Sequence, residues 1–146
     1  MTASTPAYDP SNIFAKILRG ETPCHKVHED EKTFVFMDIM PRSDGHALVL
    51  PKAPSRNILD AGPDDLAHLI KTVQKIARAA KVAFAADGIT MQQFSEAAGG
   101  QVIFHTHVHV LPRYDGVQLR PAGIKGDDAK IAGHAAALRE AMARLG

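Results

Sequence analysis

The sequence predicts an α+β domain in which a mainly antiparallel sheet of about five strands carries one long helix and one or two shorter helices. Short runs rich in aromatic and β-branched residues are joined by short turns, which is typical of antiparallel strands. One long stretch with helical periodicity lies between these runs. The chain has 146 residues, of which 45% are apolar and 23% charged, as expected for one folded domain with its own core.

Residues 1–10 are rich in Pro, Ser and Thr without periodicity, so we expect a loose tail followed by a single domain over 11–146. Ser11 can cap a short first helix, and Gly20 is suited to end it. The apolar residues of this helix are Ile13, Phe14, Ile17 and Leu18.

Three short extended runs follow the first helix. The runs 26-KVHED-30 and 33-TFVFMD-38 are separated by a short charged turn, which predicts a hairpin. Residues 40–45 form a second turn, and 46-HALVLP-51 is then a third strand closed by a proline.

The longest predicted helix begins near Gly62-Pro63-Asp64-Asp65, where proline and acidic residues suit a helix start. Asp87-Gly88 breaks it, and 89-ITMQQF-94 is a fourth strand leading into the small-residue loop 95-SEAAGG-100. The apolar positions of the helix are Leu66, Leu69, Ile70, Val73, Ile76, Ala77 and Ala80.

The predicted fifth strand runs from Gln101 to Leu111 and contains three histidines in strict alternation. Residues 112–128 then form an irregular connection to a last helix. The apolar positions of that helix are Ile131, Ala135, Leu138, Met142 and Leu145.

Composition excludes several classes of function. The 17 Lys and Arg residues balance 16 Asp and Glu, so nothing points to nucleic acid or an anionic membrane as a partner. Cys24 is the only cysteine, which rules out an intrachain disulfide and predicts a reducing, cytoplasmic location. The chain shows no export-signal pattern and no apolar run of the roughly 18 residues that a membrane span needs.

Alternation places His105, His107 and His109 on one face of an extended strand. One interpretation is a metal site, with two imidazole ligands from the strand and a third ligand from elsewhere. The other is nucleophilic catalysis, in which an imidazole nitrogen attacks phosphorus and forms a transient phosphohistidine. The preceding Ala98-Gly99-Gly100 favours catalysis, because a glycine-rich backbone can direct N–H groups at an anion.

The segment 105-HTHVHVL-111 fits a His-x-His-x-His-x-x motif, and in this respect the chain resembles the histidine triad (HIT) family. The segments 12-NIFAKI-17, 36-FMDIMPRSDGHALVLPK-52 and 92-QQFSEAAGGQVIFHTHVHVLPR-113 are similar to the bacterial, Hint-like branch and occur in the same order. The resemblance covers residues 11–113 and implies a HIT-like fold, with 114–146 as a C-terminal extension.

The resemblance implies a hydrolase that acts on purine nucleoside phosphoramidates or related adenylated compounds, without a cofactor. His107 would attack the α-phosphate and lead to a nucleoside monophosphate, typically AMP. By the same matching His109 contacts the phosphate and takes part in protonating the leaving group, and His105 supports the site. His46 would hold the nucleophile from a neighbouring strand, since an imidazole attacks through one nitrogen when the other is held as a hydrogen-bonded N–H.

The resemblance also implies a nucleotide pocket. Asp38 matches the residue that binds the ribose hydroxyls, and Ser95 lies near the phosphate. The backbone N–H groups of Gly100, Gln101 and Val102 would approach the α-phosphate. The apolar residues matched to a base pocket are Ile13, Phe14, Ile17, Phe36, Ile39 and Leu48.

Departures from the family pattern leave alternatives open. Asn12 and Ala15 stand where zinc-binding relatives have cysteines, so we expect no metal there. Ser95 replaces a frequent asparagine and Val102 a frequent serine, which keeps a non-catalytic nucleotide-binding protein in view. Leu111-Pro112-Arg113 occurs also in the Fhit-like branch and keeps dinucleoside polyphosphate hydrolysis open. The long helix resembles the family's dimer surface and implies a homodimer.

Overall fold

The computed structural model describes residues 6–146 and has the predicted α+β architecture. Five strands form one sheet in the order β1-β2-β3-β5-β4, and every neighbouring pair is antiparallel. The elements are α1 Ile13–Leu18, β1 Lys26–Glu29, β2 Thr33–Met37, β3 Ala47–Pro51, α2 Pro63–Ala83, β4 Gly88–Gln92, β5 Val108–Arg113 and α3 Asp128–Leu145.

The two faces of the sheet are covered by different helices. Successive side chains of a strand point to opposite faces, so alternate residues of β2, β3 and β5 enter different clusters. One cluster packs against α2 and α3 and includes Val35, Val49, Val110, Ile76 and Leu138. The other packs against α1 and includes Phe14, Ile17, Phe34, Phe36, Leu48 and Leu50. His109 lies on the α1 face because it pairs with Leu48 across β5 and β3, and His107 lies there too because its ring packs against Phe14 of α1.

The long helix begins at Pro63 as predicted, with Asp64 and Asp65 in its first turn. It buries Leu69, Val73 and Ile76 on one side and ends at Ala83, before the predicted break. Within residues 6–146 no helix has the length and apolar character needed to cross a bilayer.

The predicted fifth strand from Gln101 to Leu111 was wrong at its start, because β5 begins only at Val108. Its partner β3 ends at Pro51, which lacks the N–H needed to extend the ladder. The Thr106 N–H donates to Ser55 O instead, and two of the three histidines therefore precede the regular strand.

Two other element boundaries differ from expectation. The side chain of Asn12, not Ser11, caps α1 by accepting a hydrogen bond from Ala15 N. The fourth strand ends at Gln92, and Phe94 instead lies with its ring 5.6 Å from that of His109. Of the predicted tail, residues 1–5 lie outside the described residues, while Tyr8 is fixed on the histidine face.

Candidate functional site

His107 lies immediately before β5 and is almost fully buried beside α1. Its Nδ1 is 2.6 Å from the His105 carbonyl oxygen, which can only accept, so Nδ1 carries the proton and donates. The second nitrogen, Nε2, is left with a free lone pair. Burial lowers the pKa of His107 to about 4, so the ring is neutral near pH 7. A neutral imidazole held in this tautomer can act as a nucleophile through Nε2.

His46 holds His109 and not His107, which corrects the sequence-based expectation. Its Nδ1 accepts a hydrogen bond from Arg42 N at 3.1 Å, so the proton is on Nε2. That Nε2 lies 2.9 Å from His109 Nδ1 and donates to it. His109 is then left with its proton on Nε2 and becomes a donor. His107 needs no histidine partner, because the carbonyl oxygen of His105 accepts the hydrogen bond that fixes its Nδ1–H tautomer.

The imidazoles of His46 and His109 are also neutral near pH 7. Burial and the neighbouring His109 lower the pKa of His46 to about 3. Burial and the neighbouring His107 lower the pKa of His109 to about 4. The rings of His107 and His109 lie 5.0 Å apart, so an attacking nitrogen and an N–H donor share one small site.

Asp38 follows β2 and lies beside His46. Its Oδ1 accepts from Met40 N at 2.8 Å, while its Oδ2 is 3.5 Å from His46 Nε2. Burial raises the pKa of the carboxyl above its usual value, and the Met40 N–H opposes this. The ligand atoms of Asp38, His46 and His109 all lie within 4.8 Å of one another, so these three residues could hold a metal ion.

His105 is completely buried and bonded at both nitrogens. Its Nε2 donates to Pro51 O at 2.8 Å, so its Nδ1 is the acceptor for the Tyr8 hydroxyl at 2.6 Å. The Tyr8 ring also packs edge-on against the imidazole. Tyr8 therefore holds the residue whose carbonyl orients His107, and no local sequence pattern marked it.

The small-residue loop does not present its backbone as predicted. Ala97–Gly99 form a short 3-10 turn, in which Gly100 N donates to Ala97 O and Gln101 N to Glu96 O. The N–H groups of Gly100 and Gln101 thus donate within the turn and are not available to an α-phosphate in this conformation. This corrects the expectation that they bind the phosphate. Within residues 6–146 the Val102 N–H has no acceptor, and the Val102 side chain is 83% exposed.

A buried polar network fixes this loop. Glu96 has a left-handed backbone, with φ of 65°, and its carboxylate accepts two hydrogen bonds from Arg56 and one from Asn57. The Gln101 side chain accepts from Glu96 N and Asn57 Nδ2 and donates to Arg56 O. The Gln101 side chain therefore organises the loop, a role that residue type alone did not reveal.

The residues predicted for a base pocket divide into two groups. Phe14, Ile17, Phe36 and Leu48 are buried together between α1 and the sheet. Ile13 and Ile39 are 41% and 49% exposed and can meet a ligand directly. Phe14 also packs edge-on against His107, with ring centroids 4.8 Å apart. Ser95 bonds to the Gln93 side chain.

Replacing Tyr8 with Phe is expected to lower the free energy of unfolding by about 1 kcal/mol, because a buried acceptor on His105 loses its donor. The donor also favours the neutral imidazole, so the pKa of His105 should rise in the variant. Chemical denaturation and an NMR titration of His105 measure the two effects. Tyr114→Phe is the matched control, since the Tyr114 hydroxyl donates to Phe84 O away from the triad. An equal change of the His105 pKa in Tyr8→Phe and Tyr114→Phe would contradict this role of Tyr8.

The fold and the site together define a histidine triad protein. The HIT domain profile matches residues 19–116, and the chain belongs to this family. The structure resembles that of a Hit-like protein from Bartonella henselae at 48% identity, with a TM-score of 0.88 over 92% of this chain and 99% of that one. It also resembles a hypothetical histidine triad nucleotide-binding protein from Sulfolobus tokodaii at 33% identity, with a TM-score of 0.84 over 90% and 92%.

Among characterised relatives, the chain is 39% identical over 101 residues to adenylylsulfatase HINT3 of Arabidopsis thaliana. The match covers 69% of this chain but 51% of that protein, so the chain spans about half the length of this relative. These likenesses confirm the HIT-like fold that the motif implied.

Proposed function

We propose that this protein is a nucleotide-binding hydrolase that cleaves purine nucleoside phosphoramidates or related adenylated compounds at the α-phosphate. The observation that carries the proposal is the fixed tautomer of His107, whose Nδ1–H donates to His105 O and leaves Nε2 free. A relative named adenylylsulfatase and another named nucleotide-binding support the substrate class.

In the proposed reaction the Nε2 lone pair of His107 forms a bond to the α-phosphorus. The bond from phosphorus to the leaving group breaks, and its electron pair departs with the leaving atom. An amine nitrogen takes up a proton from solvent as it leaves, whereas sulfate leaves as the dianion. His109 contributes its Nε2–H as a hydrogen bond donor to the phosphate or to the leaving atom. Water then bonds to the phosphorus of the nucleotidylated His107 and gives up one proton to solvent. The bond from phosphorus to Nε2 breaks, which releases the nucleoside monophosphate and returns the lone pair to His107.

The nucleoside is proposed to lie between Asp38 and the exposed residues Ile13 and Ile39. A carboxylate can accept hydrogen bonds from two ribose hydroxyls, and among residues 6–146 a backbone N–H reaches only Oδ1 of Asp38. The apolar residues at the mouth of the site suit a purine ring. The free N–H of Val102 is a candidate donor to a phosphate oxygen.

A steady-state substrate panel on the wild-type protein tests the proposal. Adenosine phosphoramidate and adenylyl sulfate should release AMP faster than diadenosine polyphosphates do. Arg113 does not support the polyphosphate alternative, because its guanidinium bonds to Thr90 near the far end of β5. AMP binding without turnover of any substrate in the panel would overturn the proposal that the protein is an enzyme and would favour a non-catalytic nucleotide-binding protein.

We further propose a homodimer that forms through α2 and the edge strand β4. In the part of the chain that the structure describes, β4 pairs with β5 alone, and Met91 on β4 is 51% exposed. Ile70 and Val82 are likewise half exposed on α2. Burial of these apolar residues and pairing of two edge strands would join two sheets. Analytical ultracentrifugation should give about twice the 15.7 kDa chain mass, and a monomer at high concentration would contradict the proposal.

A further inference from the structure

A segment of the C-terminal extension is bonded to the loop that holds His46. We call residues 120–126 the strap and residues 39–44, between β2 and β3, the site loop. Arg120 N donates to Arg42 O at 2.8 Å, and Gly126 N donates to Ile39 O at 2.8 Å. The strap lies beyond the residues matched by the HIT domain profile, which end at 116.

Side chains add further bonds between the strap and the site loop. The Arg42 guanidinium donates through Nε to Arg120 O at 2.8 Å. The Arg120 guanidinium donates through Nε to Pro41 O at 3.3 Å and through Nη2 to Asp44 at 3.0 Å. The strap and the loop also touch closely, since a Cβ added to Gly126 would lie 2.8 Å from Pro41 Cδ. The strap thus fixes the site loop along most of its length.

The site loop controls the tautomer of His46 through one backbone group. Arg42 N donates to His46 Nδ1, which places the His46 proton on Nε2 and directs it to His109 Nδ1. If Arg42 N moved away, His46 Nδ1 would lose its donor, and the Asp38 carboxylate, 3.5 Å from Nε2, would be left as the weaker influence that favours a proton on Nε2. His109 would then be held less firmly with its proton on Nε2.

We propose that Arg120 is a positioning residue for the reaction, because the strap holds Arg42 N against His46 and thereby keeps His109 in its donor tautomer. Among residues 6–146 the Arg120 guanidinium bonds to Pro41 O and Asp44 and to none of the four site histidines. The inference rests on the proposed function for its catalytic consequence, whereas the tautomer of His46 can be observed without any turnover.

The first test compares Arg120→Ala with Arg139→Ala in the full-length protein. Arg139 is a matched control, because it belongs to the same extension and also donates to a backbone oxygen, that of Lys26, away from the site. Arg120→Ala should lower kcat on adenosine phosphoramidate about threefold, the size expected for a half-exposed ion pair, with KM unchanged. Arg139→Ala should leave kcat unchanged. Arg120→Lys, which can keep the ion pair with Asp44, should recover part of the loss.

The second measurement is the ¹⁵N spectrum of the histidine rings. In wild type and Arg139→Ala, His46 should show an unprotonated Nδ1 and a protonated Nε2. In Arg120→Ala the two tautomers of His46 should mix, and the His109 signals should change with them. The positioning role of Arg120 would be overturned if Arg120→Ala had the wild-type His46 spectrum and the same kcat as Arg139→Ala. Absence of turnover in wild type would instead overturn the proposed function.

A steric variant tests the same contact if Arg120→Ala does not fold. Gly126→Ala pushes a methyl group against Pro41, while a methyl group at Gly133 in α3 would meet no described residue within 4 Å. Gly126→Ala should reproduce the mixed His46 tautomers and the lower kcat, and Gly133→Ala should match wild type. Wild-type spectra in a folded Gly126→Ala protein would contradict a strap that sets the site loop.

Discussion

Replacing His107 with Asn is expected to lower kcat by more than about a thousandfold, as removal of a nucleophile does in other enzymes that form covalent intermediates. The Asn amide can still donate to His105 O from nearly the position of Nδ1, so the local fold should persist. What the variant lacks is the second nitrogen that would bond to phosphorus. Single-turnover and steady-state rates on adenosine phosphoramidate measure the loss, and calorimetry measures AMP binding.

AMP binding should survive, because Asp38 and the apolar residues at the mouth of the site are unchanged. His107→Ala should lose as much turnover as His107→Asn, though with lower stability from the cavity beside Phe14. Trapping a phosphorylated ring in wild type and not in either variant would complete the evidence. Turnover of His107→Asn close to that of wild type would show that His107 is not the nucleophile.

The pKa of His107 sets the direction of the pH dependence. Protonation removes the attacking lone pair, so kcat/KM should be flat near neutral pH and should fall only as the pH approaches about 4. Four buried imidazoles have lowered pKa values in the folded protein and therefore bind a proton more readily in the unfolded chain. They are those of His46, His105, His107 and His109. Folding stability should therefore decrease as the pH falls below about 6.5, the usual histidine pKa. Circular dichroism at each pH separates unfolding from loss of the nucleophile.

Replacing Gly45 with Ala is expected to lower the free energy of unfolding by about 3 kcal/mol, from backbone strain and a steric clash together. Gly45 has φ of 87°, a left-handed conformation that a side chain disfavours, and an added Cβ would lie 2.3 Å from the Phe84 ring. His46 is the next residue, so the clash should also displace the imidazole that holds His109. Chemical denaturation measures the stability, and kcat reports the displacement.

Gly116→Ala is the control that separates strain from clash. Gly116 has a similar φ of 74°, but none of residues 6–146 lies within 4 Å of its added Cβ, so only the strain of about 1 kcal/mol is expected. In a double-mutant cycle, Phe84→Leu should partly rescue Gly45→Ala, because a smaller side chain makes room. Equal destabilisation by the two glycine variants would refute the clash with Phe84.

Periodicity in the sequence was sufficient to predict the α+β class and the order of helices and strands. The apolar positions of α2 and α3 repeat every three or four residues, and β2 and β3 are short apolar runs between turns. These patterns are local, since each element shows which of its faces must be buried. The motif at residues 105–111 likewise predicted the family, which the comparisons confirm.

Boundaries at the site were harder to predict because they depend on distant partners. β5 starts at Val108 because Pro51 ends the neighbouring strand, and the N–H groups of Gly100 and Gln101 are used within a turn. Neither fact can be read from the alternation of histidines. A strand extends only as far as its neighbour can pair with it.

The amino-acid pattern thus specified which elements form and which face of β5 carries His109, because both depend on the repeat of the backbone. The tertiary structure decided which groups are hydrogen-bonded in the site. His46 bonds to His109, 63 residues away, and Tyr8 bonds to His105, 97 residues away. The physical reason is that the direction and tautomer of an imidazole follow from the hydrogen bond partners brought to its two nitrogens. Those partners come from the N-terminal segment, from the site loop and from strand β3, whose relative positions are set only when the sheet and its helices pack together.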